Sequence, residues 1–233
     1  MEKKSEITQK ERKALIRKII IRFAFFPPVL GLLILLPAGT FSYWQFYAYC
    51  GLLIVPMLAV LFYFLKNDPK FLERRTRGKE KEKQQVLIQL LSTLIFLAGF
   101  IVPGLDHRFA WSSVPLPVTI ATYIVILLGY LIIFFVFRQN SYASRIIEVD
   151  EEQEVISTGL YGKVRHPMYV GVLLMYLPTA LALGSYWGLV PFALLPLSLA
   201  LRILNEEKVL KESLKGYKEY CEKTRYRLIP FIW

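Results

Sequence analysis

Two short polar segments late in the chain carry side chains that could do chemistry. Tyr161–Tyr169 reads Tyr-Gly-Lys-Val-Arg-His-Pro-Met-Tyr and stands just before an apolar run, and Arg202–Glu207 reads Arg-Ile-Leu-Asn-Glu-Glu and closes the next one. Ionisable side chains at the edge of an apolar span cost free energy, up to about 2.5–3.5 kcal/mol each at mid-bilayer, so they usually serve a function. The first segment lies at the start of one helix and the second at the end of the next, so both lie at the same membrane face. We therefore predict that they form a single active site.

The first segment has the features of a helix start that attracts anions. Pro167 is favoured in the first turn, where its missing N–H would have no helical partner. Arg165 and the free amides of that turn would attract an anion. His166 and Tyr169 are three residues apart and share a helix face. Taken singly, His166 could be a helix cap and Tyr169 an aromatic residue of the membrane interface.

The second segment places a cation and two carboxylates on one helix. Arg202 and Glu206 are four residues apart, so they share a helix face, and this spacing allows them to pair. A purely structural ion pair would explain these two residues alone. Glu207 adds an adjacent second carboxylate, which a structural role explains less well, and this favours a functional site.

The elements that must position these residues are membrane helices. Apolar residues make up 55% of the 233 positions, and a span of the ~30 Å bilayer core takes about 20 helical residues. We therefore predict an all-α polytopic bundle of about six transmembrane helices. The predicted spans are Ile19–Pro37, Tyr43–Leu65, Val86–Pro103, Leu116–Phe137, Met168–Leu183 and Tyr186–Leu204. The tight turn at Gly184 and Ser185 makes the last two a helical hairpin.

The distribution of positive charge predicts how the chain is oriented. Of the 29 Lys and Arg residues, all but Arg108 fall in segments that an even number of spans places on one side. The positive-inside rule assigns that side and both termini to the cytoplasm. We expect the plasma or inner membrane in a prokaryote and the endoplasmic reticulum in a eukaryote. Topology explains the net charge of +11, and nucleic acid is not an expected partner.

The chain divides into two parts by composition. Residues 1–137 hold four spans and a basic connector, 66–85, that we expect to be a solvated surface helix. Residues 138–233 would form the cofactor-binding region, with a cytoplasmic segment, the hairpin and a C-terminal interfacial helix. In the cytoplasmic segment, β-prone residues 146–149 and 155–157 flank an acidic turn, which predicts a short β-hairpin-like element of two strands or extended chain.

The first apolar run is too long for a signal-peptide core and has no small-residue cleavage pattern, so we expect it to be retained.

Several common kinds of functional site are excluded by motifs that the sequence lacks. The chain has no Gly-x-Gly-x-x-Gly or Gly-x-Ser-x-Gly motif. His107 and His166 are predicted on opposite sides, and two lone cysteines do not make a metal site. No metal is therefore expected.

The motifs occur in a recognisable order. An aliphatic pair (Val155, Ile156) is followed by Gly-x-Tyr ending at Tyr161, by Arg-His-Pro-x-Tyr at 165–169, and by Arg-x-x-x-Glu-Glu at 202–207. This order resembles the isoprenylcysteine carboxyl methyltransferase family and, more loosely, the wider phospholipid methyltransferase superfamily. The resemblance covers residues 138–233. Leu160 stands where bacterial relatives often have proline, and Gln153 where eukaryotic enzymes often have histidine.

The resemblance implies S-adenosylmethionine bound at the cytoplasmic face and a prenylated or other lipid-like acceptor. Arg202 would orient the acceptor carboxylate, and Glu206 would fix hydroxyl or amino groups of the cofactor, supported by Glu207. These assignments make Arg202 and Glu206 the expected catalytic residues. The expected cofactor-binding residues are Val155, Ile156, Tyr161, Arg165, His166, Pro167, Met168, Tyr169, Glu206 and Glu207.

Other functions stay open at this point. An amine acceptor such as a phosphatidylethanolamine headgroup would need a base to remove its proton, and Glu207 or Tyr169 would have to serve. Residues 220–230 also resemble the ending of membrane sterol reductases, which use NADPH. A non-catalytic scaffold or transporter is a further alternative, but the polar residues cluster at one membrane face, whereas transport sites lie near the midplane.

Overall fold

The computed structural model describes residues 8–76, 83–147, 149–150 and 153–233. Within these residues the regular structure consists of ten α-helices and one 3₁₀ helix, Gly159–Gly162. The α-helices are α1 (Gln9–Ala38), α2 (Trp44–Asn67), α3 (Pro69–Thr76), α4 (Lys83–Phe109), α5 (Leu116–Gln139), α6 (Pro167–Tyr176), α7 (Thr179–Ala182), α8 (Leu189–Phe192), α9 (Leu195–Ser213) and α10 (Tyr217–Lys223).

Five helical stretches are long and apolar enough to cross a membrane. They are α1, α2, α4, α5 and the stretch Leu189–Ser213 formed by α8 and α9. A shorter apolar stretch, Pro167–Ala182, is formed by α6 and α7. These six correspond to the six predicted spans. The predicted fold class, a polytopic helical bundle, is confirmed, and the chain is an integral membrane protein. Its division at residue 137 stays a prediction.

Two glycines let α5 and α6 approach closely. A Cβ atom on Gly129 would lie 2.7 Å from the carbonyl oxygen of Gly171, and a Cβ on Gly171 would lie 2.8 Å from that of Gly129. Real side chains do not fit at such distances. Membrane helices have little hydrophobic drive to associate and depend on close packing of small residues instead. This contact fixes α6, and with it the first polar segment, against α5.

The turn of the hairpin is fixed by a buried polar cluster. Asp106, which is 1% exposed, accepts hydrogen bonds from the hydroxyls of Ser112 and Ser185 and from the backbone N–H of Ser112, the last at 2.7 Å. We call these three residues the tip cluster. Gly184 beside them has φ +78, a left-handed conformation that suits glycine. The hairpin is therefore tied to the end of α4 at the side opposite its polar ends.

The segment between α5 and the 3₁₀ helix contains no strand among its described residues, 140–147, 149–150 and 153–158. Of the two forms that the sequence predicted, two strands or extended chain, the form without strands is the one observed. Ile146 and Ile147 are buried, and Val155 and Ile156 face a pocket. An isolated pair of short strands is marginal in water, and these side chains pack against the helices instead. Glu148 and residues 151–152 of the predicted turn lie outside the described residues.

The connector is less solvated than its charge predicted. Its described part includes α3, whose Phe71 packs on Phe64 and Phe137 at ring-centroid distances of 4.4 and 4.8 Å. Arg74 forms an ion pair of 2.7 Å with Asp150. The predicted solvated surface helix was therefore wrong for α3, because its apolar face is part of the core. Residues 77–82 of the connector lie outside the described residues.

Candidate active site

The start of α6 is held in place by the chain that follows α10. The backbone N–H of Arg165 donates to the carbonyl of Tyr226, and that of His166 donates to the carbonyl of Arg227, both at 2.9 Å. The carbonyl of Trp233 in turn accepts from the N–H groups of residues 227, 228 and 229. Residues 226 and 227 therefore hold the start of α6 by backbone hydrogen bonds without lining the pocket themselves. The interfacial position expected of the C-terminal helix stays a prediction.

Arg165 and Glu207 form a buried ion pair behind the pocket. Nε of Arg165 lies 2.7 Å from Oε1 of Glu207, and the two side chains are 6% and 3% exposed. A terminal nitrogen of Arg165 also donates to the carbonyls of Thr224 and Arg225, at 3.0 and 3.1 Å. Oε2 of Glu207 accepts from Nε of Arg227 at 3.1 Å. Each charge thus has the partners that burial demands.

His166 lies between the two carboxylates of α9. Its Nε2 is 3.3 Å from Oε1 of Glu207, and its Nδ1 is 4.0 Å from Oε1 of Glu206. An ionised carboxylate only accepts hydrogen bonds, so the contact with Glu207 favours the proton on Nε2. His166 and Glu206 therefore face the same small space, from α6 and α9 respectively.

The Tyr169 hydroxyl bridges Arg202 and Glu206, whose spacing along α9 allows them to pair. It donates to Oε2 of Glu206 at 2.6 Å and accepts from Nε of Arg202 at 2.9 Å. In the described part of the chain no direct ion pair joins Arg202 and Glu206, so the pairing that the spacing allows is not the one observed. The reason is that a side chain from the neighbouring helix reaches between them.

Arg202 is oriented by two further residues that the sequence did not single out. Its terminal nitrogens donate to Oε1 of Gln85 at 3.3 Å and to the carbonyl of Arg145 at 2.8 Å. The Gln85 side chain, completely buried near the start of α4, also donates to the carbonyl of Arg202 at 3.4 Å. A single polar residue at a helix start gives no local signal of such a long-range contact.

These groups surround a pocket that opens at the polar end of the hairpin. Its empty space, including the open mouth, is about 870 Å³. The predicted residues that line it are Val155, Ile156, Tyr161, Arg165, His166, Pro167, Met168, Tyr169, Arg202 and Glu206. Glu207 does not line it and lies behind Arg165 and His166. The pocket thus brings the predicted residues together, with Glu207 one layer outside.

Tyr161 forms part of the pocket wall beside the 3₁₀ helix. Its hydroxyl accepts from Nδ2 of Asn140 at 3.0 Å, and its carbonyl accepts from the hydroxyl of Tyr220 at 2.7 Å. Burial raises the pKa of Tyr161 to about 12. The hydroxyl therefore stays protonated at neutral pH, and Tyr161 can contribute a polar edge without a charge.

Tyr217 also lines the pocket, although sequence reasoning did not single it out. The residue is 4% exposed, and its hydroxyl has no hydrogen-bond partner among the residues that the structure describes. No cluster of three or more His, Cys, Asp or Glu residues able to hold a metal occurs in the described ranges. The pocket therefore combines carboxylates, an arginine, hydroxyl groups and an apolar wall.

Comparison with known proteins finds similarity both to a curated protein and to a family model. The mouse Delta(14)-sterol reductase TM7SF2 is 30% identical over 86 residues, which are 35% of this chain and 20% of that protein. The chain therefore spans about a fifth of the length of that curated relative. The model of the phospholipid methyltransferase family matches residues 118–216, a segment that holds α5, the hairpin and both motifs. The resemblance stated from the motifs is confirmed at this level: residues 118–216 match the model of the phospholipid methyltransferase family, which belongs to the isoprenylcysteine carboxyl methyltransferase-type superfamily.

Proposed function

We propose that this protein is an S-adenosylmethionine-dependent methyltransferase that methylates the carboxylate of a prenylated cysteine or of another lipid-like acceptor. The observation that carries the proposal is the meeting of His166 and Tyr169 from α6 with Arg202 and Glu206 from α9 around one pocket. The family match over the same elements supports it.

The pocket suits a sulfonium nucleoside in its chemistry. Ligand pockets combine apolar side chains with a few placed polar groups, which fits the lining described above. When bound, S-adenosylmethionine supplies a methyl group activated by its sulfonium. Glu206 would accept hydrogen bonds from hydroxyl or amino groups of the cofactor, and Val155 and Ile156 would pack against its apolar surface.

For a carboxylate acceptor, the main task of the protein is to position the reacting groups. A carboxylate is already ionised at neutral pH, so no general base is needed. Arg202 would hold it in the bidentate geometry that guanidinium groups favour. Productive transfer needs the reacting atoms about 3–3.5 Å apart with water excluded. Tyr169 would fix the distance between the arginine and Glu206, because its hydroxyl touches both.

The buried residues behind the pocket would position the ones in front. Glu207, through its contacts with Arg165 and His166, would set the orientation of the imidazole ring. We place the pocket on the cytoplasmic side with both termini, as the positive-inside rule indicates. The cofactor would then enter from the cytosol and the lipid-like acceptor from the bilayer.

Replacing Arg202 or Glu206 tests the proposal. In purified folded protein, Arg202→Ala and Glu206→Ala should each lower the rate of methyl transfer from labelled S-adenosylmethionine to native lipid extract by about 100-fold or more. Arg108→Ala, at the opposite end of the bundle, and Glu212→Ala, exposed on α9, are the matched controls and should keep the wild-type rate. Full activity in either pocket variant would contradict the assigned role.

An amine acceptor of the phospholipid class is the nearest alternative, and the name of the matching family favours considering it. An ammonium group must lose its proton before it can attack, so activity would rise steeply with pH. A carboxylate acceptor predicts a rate that is nearly independent of pH between about 6 and 8, because model carboxyl groups have pKa values near 4. A pH profile with each lipid class as substrate separates the two.

The second candidate function is an NADPH-dependent reduction, favoured by the similarity to the mouse sterol reductase. Ligands that bind only the folded state raise its thermal stability. We expect S-adenosylhomocysteine to raise the Tm of the wild-type protein and NADPH to leave it unchanged. A shift with NADPH alone would favour the reductase and contradict the methyltransferase.

A further inference from the structure

The hydroxyl of Tyr217 is a buried polar group in the wall of the pocket. Tyr217 begins α10, directly after Gly216, whose φ of +83 lets the chain turn sharply from the end of α9. That turn brings the tyrosine back over α9 and into the pocket wall. The side chain is 4% exposed, so water has little access to it.

A buried hydroxyl without a hydrogen-bond partner costs free energy, and such groups are rare in folded proteins. The neighbouring tyrosines of the wall do not share this state, because Tyr161 accepts from Asn140, Tyr169 donates to Glu206 and Tyr220 donates to the carbonyl of Tyr161. Tyr217 alone among these four has an unused hydroxyl. An unused donor that lines a pocket is expected to gain its partner from a ligand.

The surroundings of Tyr217 indicate which part of a ligand this is. The ring packs with Leu214 and Tyr220, and Val155 and Leu210 pack against the same cluster. This end of the pocket is therefore an apolar slot, in contrast to the end where Arg202 and Tyr169 lie. A flat, mostly apolar ring with acceptor atoms on its edge fits such a slot.

The charge state of the hydroxyl is also set by its surroundings. Burial raises the pKa of Tyr217 well above its usual value, and the nearby carboxylates of Glu207 and Glu206 raise it further. The group is therefore a neutral donor at all physiological pH values. With its proton in place, the hydroxyl can donate to an acceptor on a ligand, such as an aromatic ring nitrogen.

We propose that the Tyr217 hydroxyl donates a hydrogen bond to a ring nitrogen of the adenine of S-adenosylmethionine. The adenine would lie in the slot formed by Val155, Leu210 and Leu214, and the methyl group would lie toward Tyr169 and Arg202. This assignment rests on the proposed function and adds the direction in which the cofactor lies in the pocket.

Binding of S-adenosylhomocysteine to Tyr217→Phe, measured by calorimetry on the detergent-solubilised full chain, tests the proposal. Loss of one neutral hydrogen bond should raise the Kd about 5-fold. The Tm without ligand should stay equal or rise, because no bond within the protein is lost. The matched control is Tyr49→Phe, whose hydroxyl bonds to Oγ1 of Thr179 at 3.0 Å, far along the hairpin. It should lower the Tm and leave the Kd unchanged.

The 1-deaza, 3-deaza and 7-deaza analogues of S-adenosylhomocysteine, each lacking one ring nitrogen, locate the partner atom. One analogue should bind the wild type about 5-fold more weakly than S-adenosylhomocysteine does. The Kd of that analogue should not rise further in Tyr217→Phe, because the analogue and the variant remove the same interaction. An unchanged Kd of S-adenosylhomocysteine for Tyr217→Phe would overturn the assignment. It would also be overturned if Tyr217→Phe weakened the binding of all three analogues as much as it weakens the binding of S-adenosylhomocysteine. If the wild type binds no S-adenosylhomocysteine, the proposed function itself fails.

Discussion

The two ends of the hairpin both bury polar side chains, and they do so in different ways. At the tip cluster, the carboxylate of Asp106 accepts hydrogen bonds from Ser112 and Ser185, and the network is closed. At the other end, Arg165 and Glu207 form a similarly closed pair, but in front of it Glu206, Arg202 and a tyrosine hydroxyl border an open pocket.

This difference separates the groups that hold the fold from those available for binding. A closed buried network stabilises one geometry and leaves no donor or acceptor for a ligand. A network that is closed at the back and open at the front keeps its functional groups oriented before anything binds. Such orientation reduces the free energy that binding would otherwise spend on ordering them.

The largest effect should come from opening the closed pair behind the pocket. Glu207→Ala would leave the buried guanidinium of Arg165 without its carboxylate, and breaking a buried ion pair in this way costs about 3–5 kcal/mol. We expect a large fall in Tm in detergent. Glu206→Ala, the neighbouring carboxylate, should cost at most about 1 kcal/mol because Glu206 is not in a closed pair. Equal destabilisation by the two variants would contradict the division into back and front.

A smaller loss should follow from opening the tip cluster. Asp106→Ala removes the acceptor of two hydroxyls and one backbone N–H, and buried groups left unpaired cost roughly 1–3 kcal/mol each at most. Because relaxation recovers part of this, we expect about 3 kcal/mol in total, measured as a lower Tm. Methyl transfer by the folded fraction should be unchanged, since the cluster is at the far end of the hairpin. A selective loss of activity without a fall in Tm would show that this end also serves the reaction.

The smallest effect concerns the contact between α5 and α6. Gly171→Ala places a methyl group against the backbone of α5, and overpacking of this kind costs about 1–3 kcal/mol. Gly51→Ala is the matched control, because a Cβ there meets nothing within 4 Å. It should be neutral or slightly stabilising, since alanine favours the helix. The Tm of both variants is measured in the same detergent. An unchanged Tm for Gly171→Ala would mean that α5 and α6 can separate at little cost in free energy.

The fold class and the meeting of the two motifs could be predicted from sequence because both depend on short-range patterns. Apolar runs of about 20 residues specify membrane spans, and the turn at Gly184 specifies that the last two spans are antiparallel neighbours. That geometry alone places His166 near Glu206. The family resemblance then supplied expected roles for these residues, which remain proposals.

The details that sequence reasoning missed all depend on contacts between distant segments. The bridge by Tyr169 separates a pair that helical spacing had joined, because spacing describes one helix at a time. The burial of Gln85 and the use of backbone carbonyls from residues 224–227 leave no periodic signal. The unused hydroxyl of Tyr217 was also invisible, because the state of a hydrogen-bond donor depends on the whole surrounding wall.

The backbone pairing of residues 165–166 with residues 226–227 has a consequence for biosynthesis. Translation proceeds from the N-terminus, so the membrane helices can insert while this part of the chain is still inside the ribosome. Until residues 226 and 227 have emerged, Arg165 and His166 lack the backbone partners that hold them. The start of α6 would therefore reach its final position only after these two later residues have paired with it.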